Sequence, residues 1–191
     1  MKPPIIFLDT NVILDYLERR DQEVEKMVSQ MLLFHGKGRL ILATSVFNVS
    51  ELIDNEFQIQ VIGECINERM SYDEINRFRS NKNEYRAKAE KNRMKVERKI
   101  KDFIFKNRID ILSIPFNEPE YYQELYELIY KYQLRSQDAL MVATASLNDA
   151  TYFLSKDSDL IKTIGDLFNT FDLRIASSLE SFRNEVLEAL L

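Results

Sequence analysis

The chain predicts an α/β fold built on a parallel sheet, and three observations carry this. Short runs rich in β-branched and aromatic residues alternate with longer stretches of helical spacing, so strand, helix, strand and helix follow in turn. The first run, "IIFL" at 5–8, is apolar at every position, as expected of a strand buried on both faces. That run stops at an aspartate, Asp9, followed by Thr10 and Asn11. Aspartate is depleted in strands and costly to bury alone. Any of the three could cap the next helix, but one residue suffices for a cap. A carboxylate at the carboxyl edge of a parallel sheet, where open α/β folds bind ligands, accounts for the run better.

The elements follow in order. After the first strand, Val12, Ile13, Tyr16 and Leu17 have helical spacing. Asp21 then caps a second helix whose Val24, Met27, Val28, Met31 and Leu32 form one apolar face, ended by Gly36 and Gly38. "RLILATS" is the second buried strand, and Thr44 or Ser45 caps the helix opening "VFNVSELIDNEF". Residues 58 to 108 read as long charged helices, with no strand until "IDILSIPF" at 109–116. Pro119 sits in the first turn of an amphipathic helix. Ser136 caps the next, whose Ala139, Val142, Ala143 and Ser146 give a small-residue face for close packing. The strand "TYFLS", a helix from "KDSDLIKTIGDLF", the strand "TFDLRIA" and a terminal helix from Ser178 complete the pattern. This reads as one domain over residues 1–191 with a basic helical insertion at about 58–108.

Composition narrows the chemistry. The four glycines are scattered, which excludes the phosphate-cradling Walker loop and the dinucleotide fingerprint. One cysteine, Cys65, permits no internal disulfide or cysteine cluster, and one histidine, His35, permits no multi-histidine zinc site. His35 lies at a helix end, where a structural or capping role is expected. No apolar run approaches the ~20 residues of a membrane span, and a cytoplasmic location is expected.

What remains is carboxylates. Asp9 ends the first strand, and Glu51 lies about two turns into the helix after the second. Asp138 is in the first turn of its helix, while Asp157 follows "TYFLS" with Asp159 two residues on. Separately, each has an ordinary reading: Asp138 favours a helix dipole, Asp159 an N-cap, Asp157 a turn, and Glu51 a solvated face. Together, on a parallel sheet, they would gather at one edge and repel one another unless a hard cation holds them. With oxygen ligands only, Mg²⁺ or Mn²⁺ is the expected ion, one or two in number.

The blocks "IIFLDTNVIL", "SVFNVSELID", "SQDALMVATA" and "TYFLSKDSDL" resemble, in order, the motif blocks of PIN-domain ribonucleases, the family that contains the VapC-type toxins. The resemblance implies a three-layer α/β/α fold and a catalytic metal site of Asp9, Glu51, Asp138 and Asp157. It places Asn11 and Ser155 as supporting polar residues. It also implies hydrolysis of RNA phosphodiesters leaving 5′-phosphate and 3′-hydroxyl ends, and control by an antitoxin; separately, a homodimer is one assembly open to the chain. The stretch 58–108 is longer and more basic than in the small toxins.

Within that stretch, residues 77–108 hold thirteen basic and four acidic residues, a balance of +9 against −5 for the whole chain, so the remainder carries −14. Tyr85, Ala89, Val96, Ile100 and Phe103 form an apolar stripe. Lys88, Lys91, Lys95, Arg98 and Lys99 cluster beside it, with an RNA backbone as the expected contact and an acidic partner protein as the competing one. Two other classes fit these residues less well. A non-catalytic RNA-binding or scaffold protein would have no need of clustered acids. An aspartyl-phosphate enzyme would need a second acid where Asn11 stands.

Overall fold

The computed structural model describes residues 2–114, 116–165, 174–175 and 178–190. β1 (Ile5–Leu8) leads into α1 (Thr10–Glu18) and α2 (Gln22–Gly36), and β2 (Ile41–Ser45) into α3 (Val46–Asn67), α4 (Tyr72–Ser80) and α5 (Lys82–Lys101). A π-helical turn, Asp102–Lys106, connects to β3 (Asp110–Leu112), which precedes α6 (Pro119–Tyr130) and α7 (Ser136–Leu147). β4 (Tyr152–Leu154), α8 (Ser158–Gly165), β5 (Arg174–Ile175) and α9 (Leu179–Phe182) follow, and short turns carry the chain to Leu190.

The strands form one parallel sheet in the order β3-β2-β1-β4-β5. From β1 the chain builds outward on one side through β2 and β3, then crosses to the other for β4 and β5. The crevice between β1 and β4 is therefore the topological switch point, where such sheets bind ligands. The pleat sorts the central strands between two cores. Ile6 and Leu8 pack with Val24, Met31 and Phe103 on one face. Phe7 packs with Ala139, Val142 and Phe153 on the other, its ring stacked on Phe153 with centroids 5.0 Å apart. Helices on both faces give the expected three-layer α/β/α architecture.

Local details differ from expectation in three places. Asp21 and Ser45 do cap α2 and α3. Ser136, however, is already helical: the N-cap position belongs to Arg135, whose side chain makes no capping bond. At α8 the capping carboxylate is Asp157, whose Oδ1 accepts the N–H groups of Asp159 and Leu160 at 2.9 and 3.0 Å, and not Asp159. Of "IDILSIPF" only Asp110–Leu112 pairs as strand, and Pro115 lies outside the described residues. So does most of "TFDLRIA", with Arg174–Ile175 seen as strand, and so do residues 166–168, the end of the stretch expected to be helical before it.

α3 runs unbroken for 22 residues through position 58. α5 lies antiparallel along its distal half. Asn92 bonds Glu64 at 2.8 Å, Lys88 pairs with Glu68, and Lys95 reaches Gln60, so the numbers run in opposite directions. Val96, Ile100 and Phe103 of the expected stripe join the main core, while Tyr85 and Ala89 pack on a small cluster of Val61, Cys65 and Phe78. Lys99 ties the arm to the sheet domain, bonding Glu18 of α1 and, at 2.9 Å, the fully buried Glu56 of α3. His35 is a structural pin. Its Nδ1 accepts from Leu42 N–H at 3.2 Å, which leaves Nε2 to donate to the Arg108 carbonyl at 3.0 Å. Among the described residues no helix is long and apolar enough to cross a membrane.

Candidate active site

Asp9 sits at the switch point, 4% exposed, as the N-cap of α1. Its main-chain N–H extends the β1–β4 pairing by donating to Leu154 O at 3.0 Å. Four donors converge on its carboxylate. Oδ1 accepts from Thr10 N–H at 2.7 Å and Asn48 Nδ2 at 3.2 Å. Oδ2 accepts from Ser155 Oγ at 2.6 Å and Asn11 Nδ2 at 2.9 Å. Burial pushes the Asp9 carboxyl up to about 6, although the Ser155 and Thr10 bonds pull the other way, and the charges of Glu51 and Asp138 add to the rise. Capping explains one of the four bonds and Asn11 adds a second from the same turn; the other two, from Asn48 and Ser155, bind Asp9 to distant parts of the chain.

Those parts are the site's walls. Asn11 reaches across to β4, donating to Ser155 Oγ at 3.1 Å and accepting the Lys156 N–H on its Oδ1 at 3.0 Å. Ser155 Oγ in turn accepts the Asp157 N–H at 3.0 Å. The Lys156 ammonium folds back onto Asp15 and Asp21, holding the Asp21 carboxyl below the usual carboxylate range. The loop that carries Asp157 is thus tied to α1 by both a side-chain network and an ion pair. From the other side, Glu51 of α3 accepts the Thr10 hydroxyl on Oε2 at 2.7 Å.

Asp138 lies half-buried in the first turn of α7. Burial raises its carboxyl, and next the charge of Asp157; the Arg135 guanidinium opposes this, and Glu51 reinforces it. The four acids therefore feel one another across the switch point: Asp9 with Glu51 and Asp138, and Asp138 with Asp157 and Glu51. Asp159 is exposed on the first turn of α8, its main-chain N–H bonded to Asp157 Oδ1.

Asn48 is a residue that sequence reasoning passed over. Fully buried, it donates from Nδ2 to Asp9 Oδ1, to Thr10 Oγ1 at 3.1 Å and to Met141 Sδ at 3.0 Å, while its Oδ1 accepts the Ser45 hydroxyl. One amide thus joins β1, α1, α3 and α7. The signal was its place one turn before Glu51, on the same side of α3.

The residue set suits a hard divalent ion in donor type, all oxygen and all anionic. Among the described residues, no three acid, imidazole or thiol side chains stand close enough together to enclose one. The Asp9 oxygens, one oxygen of Glu51 and one of Asp157 are instead occupied by N–H and O–H donors. That suits Mg²⁺, which keeps several of its waters and is usually bound through one or two carboxylates, better than an ion that needs a full protein cage.

A parallel sheet between two helical layers, with a buried Asp9 at its switch point, defines an open α/β protein of the class that binds ligands at its strand ends. Comparison with family models makes this specific: the chain belongs to the PIN domain family, whose model matches residues 6–166. A search of the curated proteins found no match, and neither did one of the solved structures. PIN domains are in general nucleases acting on RNA and typically bind divalent ions such as Mg²⁺, so a nuclease is the coarse reading of this chain.

Proposed function

We propose that this chain is a divalent-metal-dependent endoribonuclease whose catalytic acids are Asp9, Glu51, Asp138 and Asp157. The observation that carries the reading is the hydrogen-bond network at the switch point: Ser155 Oγ donates to Asp9 and accepts the Asp157 N–H, and Thr10 beside Asp9 donates its hydroxyl to Glu51. Asp9 and Asp138 would hold Mg²⁺ or Mn²⁺, Glu51 is oriented by Thr10, and Asp157 is fixed by its capping bonds. When bound, such an ion lowers the pKa of its water and steadies the leaving oxygen of a phosphodiester. The chain supplies no imidazole for this chemistry, since both His35 ring nitrogens are committed to the fold. A toxin role with a neutralising antitoxin rests on the resemblance to VapC-type toxins. A non-catalytic scaffold would gain nothing from burying Asp9 among other acids.

The test is incubation with mixed cellular RNA in Mg²⁺, Mn²⁺ or EDTA, with mapping of new 5′ ends. Cleavage with either ion and none in EDTA is expected; equal cleavage in EDTA would exclude the metal. The ion should also raise the melting temperature, by about 2.7 kcal/mol of stability at a hundredfold excess over its Kd. That corresponds to roughly 5–10 °C for a chain of this size. Asp9→Asn should respond much less, and an equal response would place the ion elsewhere.

The basic arm enters this proposal as an RNA grip of reduced extent. Lys88 and Lys99 are turned inward onto Glu68, Glu18 and Glu56, their side chains 16% and 24% exposed, because the long α3–α5 contact needs its acids neutralised. Lys91, Lys95 and Arg98 are exposed. Changing these three to Gln should flatten the slope of log affinity against log salt by about 2 on single-stranded RNA. An unchanged slope and affinity would leave a protein partner as the better reading of the arm.

A further inference from the structure

The outer face of α6 is unlike that of the other sheet-packing helices. Tyr122, Tyr126 and Tyr130 recur one turn apart on it and are 54%, 75% and 79% exposed. With Leu125 and Ile129 they line a shallow depression of about 530 Å³. The core does not need them, since Tyr121 and Leu128 already supply the buried face. An exposed helix face normally carries charged and polar residues.

The stripe has a direction. Its far end begins at Glu118 and Glu120, and its near end runs into Lys131 and then Arg135. There the main chain turns back, Leu134 N–H bonding Leu128 O at 3.1 Å, and α7 begins with Asp138 in its first turn. The stripe thus ends toward the loop that opens α7, with Lys131 and Arg135 between Tyr130 and Asp138 in the chain. Successive tyrosines are offset along the helix by ~6 Å, and each exposed ring offers a face to a base.

We propose that Tyr122, Tyr126 and Tyr130 form a stacking track for the unpaired bases of a single-stranded RNA, whose backbone passes Arg135 to reach the acids. This rests on the nuclease reading for what lies at the track's end. Base–aromatic stacking is insensitive to base identity, so the track selects strandedness and not sequence. A duplex, whose bases are already stacked, gains nothing from it.

The experiment measures binding of a short oligouridylate in EDTA, so that no cleavage is required. The chain has nine tyrosines and no tryptophan, so its intrinsic emission reports on tyrosine. Wild-type emission should be quenched by the oligonucleotide. Tyr126→Leu with Tyr130→Leu keeps apolar area but removes the rings, and should weaken binding about tenfold or more. The corresponding Phe pair should bind like wild type, and affinity for a blunt RNA duplex should be the same in all three. No quenching, or unchanged oligouridylate affinity in the Leu pair, would overturn the track. So would a wild-type dimer that the Leu pair dissociates while RNA affinity stays constant, since a second copy would then cover the face. A wild type that binds with quenching yet cuts no RNA in Mg²⁺ or Mn²⁺ would remove the nuclease reading alone.

Discussion

Asp138→Asn should abolish RNA cleavage and, in EDTA at pH 8, melt above the wild type, whereas Asp9→Asn should abolish cleavage with no gain in stability. Both lose a carboxylate from the proposed metal site. Altering residues that merely support metal ligands typically costs 10–100-fold, so about 100-fold or more is expected here. The two differ in what surrounds them. Burial and the charges of Asp157 and Glu51 raise the Asp138 carboxyl, and a neutral amide removes that strain. Asp9 is also raised, to about 6, but four donors converge on it. An Asn amide nitrogen turned toward any of them leaves a buried donor without an acceptor, at about 1–3 kcal/mol. That offsets the relief of repulsion. Melting curves and cleavage assays on the same preparations check both halves. Full activity in either variant removes that acid from the mechanism.

Glu124→Gln should remove much of the protein's loss of stability between pH 5 and pH 8. Glu124 faces the α6–α7 interface, 6% exposed, and its Oε1 has no partner among the described residues. Burial pushes its carboxyl up to about 7, with the Glu127 charge adding to this and a Ser146 hydrogen bond opposing it. The folded-state pKa thus lies above the unfolded value of 4.5. The folded chain keeps a proton that the unfolded chain releases, so the stability it brings is complete below about 4.5 and is lost as pH rises to about 7. The loss is on the order of 3 kcal/mol, or roughly 6–12 °C in melting temperature. Asp9 and Asp138 titrate with the same sign but are present in both proteins, so the difference between wild type and variant isolates Glu124. Parallel melting temperatures across this range would mean that the Glu124 carboxyl titrates normally.

The strands were legible because burial on both faces leaves a local mark: "IIFL" and "ILATS" contain no charge, and flanking polar residues punctuate them. Helix caps were legible where a side chain beside the first turn does the work, as at Asp21 and Ser45. The cap assignment failed at α7, where Arg135 occupies the position with no side-chain bond, and at α8, where Asp157 and not Asp159 takes the capping bonds. Choosing among adjacent capping-type residues depends on backbone angles that spacing does not specify.

By itself the sequence determined the parallel α/β class and the order of its elements along the chain, since periodicity and motif order are properties of the chain. Tertiary structure alone decided the rest. Asn48 looks like any polar residue in a helix until β1, α1 and α7 close around it. Lys88 and Lys99 look like their basic neighbours until α5 lies against α3 and turns them inward, Lys88 onto Glu68 and Lys99 onto the buried Glu56. Glu124 looks like a surface glutamate until α7 covers it. In each case burial and pairing are set by residues distant in sequence, and a side chain's solvation and charge follow from what is brought to it.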